Sequence, residues 1–180
     1  MNSVNEKRIE GMNAWTICFL RDGLFIKGSA KEYKEVDMLF KRRDISDDVK
    51  DRLSKKWNDD FWHFISVVGL SAYLGCEVYT MAHPYGKRYV LDPVLIEESW
   101  VGLRDHVRKS SNKWIAIYTS EDEYKVVDKD KLVKMPLAEI LERANKKQDA
   151  HRLIINKDTD NVKAGPCKLG IMLDVMNGER

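Results

Sequence analysis

The longest regular pattern in the chain is a helical one. Apolar residues recur at Val49, Leu53, Trp57, Phe61, Phe64 and Val68, a three-to-four-residue spacing sustained for about five turns. Ser46 stands where an N-cap is wanted, and Asp47 and Asp48 fill the first turn, where negative charge is favoured. As far as Asp60 the pattern is amphipathic. From Phe61 to Leu74 it is apolar almost all round, which predicts burial on every side. Gly75 is placed to end the helix, and Gly69 within it predicts a close crossing by another element.

Around this helix the pattern predicts shorter elements. Trp15, Ile17 and Phe19 alternate, Asp22-Gly23 follows, and Leu24 and Ile26 alternate again, predicting strand, turn and strand over 14–27. Tyr33, Val36, Leu39 and Phe40 mark a short helix over 31–43. Strands are predicted at 77–82 and 88–91, joined by a turn at His83-Pro84-Tyr85-Gly86-Lys87. Ile96, Trp100, Leu103 and Val107 predict a helix to Lys109. The unbroken apolar run Trp114-Ile115-Ala116-Ile117-Tyr118 predicts a central strand buried on both faces. A returning strand is expected from Lys125 to Val127, then a helix that Pro136 opens and that buries Leu137, Ile140, Leu141 and Ala144. Strands at 152–156 and 168–176 complete the reading.

Strand pairs that alternate with helices point to an α+β fold. The expected architecture is a mainly antiparallel sheet built from hairpins, packed on a long central buried helix with three shorter helices. Residues 1–11, polar and mixed in charge, read as a flexible N-terminal arm, and 12–180 as a single domain.

Composition adds limits. The 180 residues suffice for one core without staples, and a charged fraction of 33 % implies a densely charged surface. With 31 Lys and Arg against 29 Asp and Glu, the net charge of +2 gives no bulk attraction to polyanions. Cys18, Cys76 and Cys167 are odd in number and far apart, with no zinc spacing, so free and mostly buried thiols in a reducing, cytoplasmic setting are expected, with Cys18 in the core. The chain has neither an apolar signal segment nor a run of about 18 apolar residues, so no membrane partner is expected.

Four constellations carry candidate chemistry. Asp59 and His63, four apart on the long helix, share a face where they could bind a metal or act as an acid–base pair. Asp92 followed by Glu123-Tyr124-Lys125 matches the carboxylates and lysine of a Mg²⁺-dependent nuclease, although acidic-x-Lys recurs at 32–34 and 48–50. The turn with His83, Tyr85, Lys87 and Arg88 offers an aromatic, an imidazole and two cations to a partner. The basic residues at 41–43 and 55–56, with Arg104, Arg108 and Lys109, are interleaved with acids and read as a neutralised surface. His106 and His151 read as surface residues. No nucleotide-loop, hydrolase or zinc-protease motif occurs, and no cofactor is identified. The leading expectation is a small intracellular binding or regulatory, inhibitor-like protein acting by surface contact with another protein. The alternatives are a nucleic-acid-binding protein or Mg²⁺-dependent nuclease, and a small-molecule or nucleotide-binding enzyme.

Overall fold

A computed structural model describes residues 3–101, 107–125, 129–146 and 152–180. Four helices come first: α1 (Val4–Glu10), α2 (Ala14–Arg21), α3 (Leu24–Phe40) and α4 (Asp47–Tyr73). Four strands follow: β1 (Glu77–Tyr85), β2 (Arg88–Leu91), β3 (Val94–Val101) and β4 (Val107–Tyr118). After a single 3-10 turn at Glu121–Glu123 come β5 (Leu132–Pro136), α5 (Leu137–Lys146), β6 (Leu153–Ile155), β7 (Val162–Ala164) and α6 (Pro166–Met176).

The fold is α+β, with one seven-stranded sheet and the long helix α4 packed with it in a shared core. The strand order is β2-β1-β4-β6-β7, with β3 added to β4 and β5 to β1. Every pairing is antiparallel except β4 with β6, which α5 separates in sequence. β4 is the central strand that its apolar run predicts. Ile115 and Ile117 join the helix-side core, Trp114, Ala116 and Tyr118 join a second cluster, and all five are buried. In α4 the enclosed stretch begins at Phe64 and ends at Ala72, while Trp62, His63 and Tyr73 stay exposed. α6 crosses α4 at Gly69, the close approach that a glycine there implies.

Several elements differ from the sequence expectation. Residues 14–27 are not a β-hairpin but the end-to-end pair α2 and α3. Asn13 caps α2 by accepting from the Thr16 amide, and Gly23, at φ +74°, turns the chain between the helices. Asp-Gly supplies the left-handed conformation that a helix stop and a hairpin turn both need, and five alternating residues are too few to fix the period. The helix expected over 31–43 is the C-terminal part of α3, which already starts at Leu24. The described part of 96–109 is strand rather than helix: 96–101 belong to β3 and 107–109 open β4. Partial burial alternates residue by residue from Val94 to Ser99, a period of two that the wider spacing of Ile96, Trp100 and Leu103 disguises. Residues 168–176 are α6, not a strand. Pro166 opens it at the first turn, and Leu169, Met172, Leu173 and Met176 face inward at helical spacing. The expected arm over 1–11 carries α1, so the helices beside α4 outnumber the three expected. Of the expected strand at 125–127, Lys125 lies outside any strand and the other two residues lie outside the described residues, as do Arg104, His106 and His151. Cys76 is buried, but Cys18 sits exposed because α2 turns only part of its surface to the core, and Cys167 is exposed in the first turn of α6.

Candidate functional site

The β1–β2 hairpin changes character at one rung. Ala82 and Leu91 face each other across the pair and are 1 % and 3 % exposed. Beyond them, every residue from His83 to Val90 is exposed. The strand pattern explains the change. Val78, Thr80 and Ala82 alternate into the core, whereas His83-Pro84-Tyr85 offers no further apolar alternation. The ribbon reverses through Gly86-Lys87, with Gly86 at φ +62° and Tyr85 paired with Arg88.

The base of this ribbon is pinned. His83 Nδ1 lies 2.7 Å from Asp92 Oδ1, and the Asp92 amide donates to the Met81 carbonyl. From α5, Arg143 donates to the Tyr89 carbonyl and also pairs with Glu139. Above these anchors Tyr85 is 74 % exposed, and Tyr89 and Val90 are exposed with it. Between the ribbon and α5 lies a shallow, mainly apolar depression of about 270 Å³, lined by Tyr89, Val90, Leu91, Arg143 and Lys146. Among the described residues Lys87 and Arg88 at the tip and Lys146 on α5 form no ion pair and leave this surface net positive, whereas Arg143 is matched by Glu139. Such a surface can seat an apolar side chain and hold an acidic neighbour beside it. Of the sequence candidates, His83, Tyr85, Lys87 and Arg88 thus share one projecting element, and Asp92 joins them as the anchor of His83.

The other candidates lie elsewhere. Glu123 is buried beyond the end of β4, paired with Lys27 of α3 and accepting from the Thr159 hydroxyl. Burial alone would raise its pKa, but the Lys27 and Thr159 hydrogen bonds outweigh it and hold the carboxyl below its ordinary value. Lys125 donates its amide to Asp158. Neither Glu123 nor Lys125 bonds to Asp92, which is engaged at the middle of β1. Asp59 and His63 are both exposed on α4, with no hydrogen bond between them. Among the described residues, no group of three or more His, Cys, Asp or Glu is placed to hold a metal ion.

One feature escapes sequence reasoning. A polar cleft of about 500 Å³ opens at the carboxyl end of β4, with Tyr79, Glu77 and Lys134 on one side and Ser120, Glu121 and Asp122 on the other. Behind it Asn156, buried and at φ +47°, accepts from the Thr119 amide and donates to Asp160. Its residues come from segments far apart in the chain, so no local motif announces it. Of its lining charges, Lys134 pairs with Glu77, and Glu121 hydrogen-bonds to the Tyr79 side chain. Searched against protein-family models, curated proteins and solved structures, the chain matches none of them.

Proposed function

We propose that the protein is a small intracellular binding or regulatory protein, working in the cytoplasm, and that the β1–β2 ribbon with the adjoining face of α5 is its contact surface for a partner protein. The observation that carries this reading is the sharp rung at Ala82 and Leu91. Past it, eight consecutive residues form a paired ribbon that contributes nothing to the core. A ribbon anchored at its base and free at its tip presents tyrosine and arginine, the residue types that dominate interface energetics. The net positive rim selects a partner surface that is acidic around an apolar anchor. Unpaired cysteines suit a reducing compartment.

The test is purification of the tagged chain from its own cells, as wild type and as Tyr85→Ala/Arg88→Ala, with mass spectrometry and nucleic-acid staining of both eluates. The expected result is one stoichiometric protein with the wild type that is lost with the variant. Equal recovery of that protein by both chains overturns the reading. Co-eluting nucleic acid lost in the variant transfers the surface to the nucleic-acid alternative, since tyrosines among cations also suit stacked bases and phosphates.

A further inference from the structure

We propose that a second site, the cavity between α3, β7 and α6, binds the phosphoryl group of a small phosphorylated ligand. The cavity measures about 300 Å³, at the lower end of the range of small-molecule sites. Four lysines line it, Lys34, Lys41, Lys163 and Lys168, against one carboxylate, Asp37. Asp37 is already committed. One of its oxygens accepts from Trp57 Nε1 at 2.9 Å and the other from Lys41 at 2.5 Å. Lys163 reaches out of the cavity to Glu98.

Lys168 is the decisive residue. Its ammonium donates to the Tyr33 hydroxyl at 2.9 Å and, at 3.5 Å, to the Lys163 carbonyl, both neutral acceptors. It lies 4.8 Å from the centre of the Tyr33 ring. Neither Lys168 nor Lys34 forms an ion pair among the described residues. Burial lowers the Lys168 pKa, and nearby Lys41 pushes the same way against Asp37. A half-buried cation with only neutral partners is costly unless an anion completes it. The ammonium has three donors and two are used, so one remains for a ligand oxygen.

The excess of positive charge fits a phosphoryl group better than a single carboxylate, and lysines serve phosphate as point charges. The cavity is too small for a nucleic-acid strand, so the phosphoryl group belongs to a small molecule. This site is independent of the β1–β2 ribbon, and neither proposal needs the other.

Isothermal titration of the full chain at fixed ionic strength tests it, with inorganic pyrophosphate, adenosine monophosphate and a ten-nucleotide single strand lacking terminal phosphates. Saturable one-to-one binding of pyrophosphate or the monophosphate is expected. It should weaken at least ~10-fold in Lys168→Met and in Lys34→Met, the loss of one charge-assisted hydrogen bond, and stay unchanged in the exposed Lys55→Met. If Lys168→Met does not fold, Lys34→Met decides. No saturable binding, an equal loss in Lys55→Met, or the oligonucleotide binding more tightly than both small probes overturns the proposal.

Discussion

Gly69 of α4 and Val175 of α6 meet with no room for a methyl group between them. A Cβ at position 69 would lie 2.6 Å from Val175 Cγ1 and 2.9 Å from the Met172 carbonyl oxygen. The backbone oxygen cannot swing aside as a side-chain tip can, so the helices must part. Gly69→Ala is therefore expected to cost ~1–3 kcal/mol, the usual penalty of overpacking, despite alanine's better helix propensity. Urea unfolding measures it. A coupling of ~0.5–3 kcal/mol with Val175→Ala should appear in the double-mutant cycle, and strict additivity would remove the contact from the account.

Asn5 ties the N-terminal helix to the C-terminal one. It is fully buried, and its amide nitrogen donates to the carbonyls of Val175 at 2.7 Å and Met176 at 2.9 Å, in the last turn of α6 where the regular helical donors run out. Asn5→Ala removes the side-chain donor from the Met176 carbonyl, leaves the Val175 carbonyl only the Gly178 amide, and should destabilise the chain by ~1–3 kcal/mol. An unchanged unfolding midpoint would contradict the tie between α1 and α6.

The three thiols should react in two classes. Burial, with help from Asp22 and Glu77, pushes the Cys76 pKa up to about 12, while Cys18 and Cys167 are exposed. Thiolate is the reactive form, so a disulfide reagent at neutral pH should label two cysteines quickly and the third only on unfolding. Fast labelling of Cys76 in the folded chain would contradict its enclosure behind Gly23.

Acid should loosen the fold through two carboxylates. Glu98 is held below its ordinary pKa first by the Lys163 hydrogen bond, against the effect of burial, and Glu123 is held low by Lys27 and Thr159. A lowered folded pKa means that the unfolded chain binds more protons. The stabilisation is present above the unfolded value of about 4.3 and is lost as pH falls through the folded one. Urea midpoints at neutral pH and below about pH 4 should show the loss, with a shallower pH slope in Glu123→Gln. A slope unchanged in both Glu98→Gln and Glu123→Gln would assign acid sensitivity to other groups.

The sequence discloses long patterns and conceals short ones. α4 is legible because its stripe persists for many turns, and β4 because five apolar residues in a row leave a strand no solvent face. α5 is legible from Leu137, Ile140, Leu141 and Ala144. α2 fails because Trp15 and Phe19 are partners on a helix, with ring centroids 4.0 Å apart, yet they also satisfy alternation with Ile17. α6 fails because its apolar residues are too dense for one period to dominate, and only Pro166 marks its start. The hairpin tip is legible from its turn residues. The His83–Asp92 anchor, the Arg143 brace and the lysine-lined cavity depend on residues brought together from distant segments.

Site-specific photo-crosslinking in the native cell tests the central reading most directly. A photoreactive amino acid replaces Tyr85 at the ribbon tip in one chain and Asp48, exposed in the first turn of α4, in another. A discrete protein adduct is expected from position 85, absent from position 48 and abolished when Arg88→Ala is added. A protein adduct formed equally at both positions, or formed at position 48 alone, would contradict it.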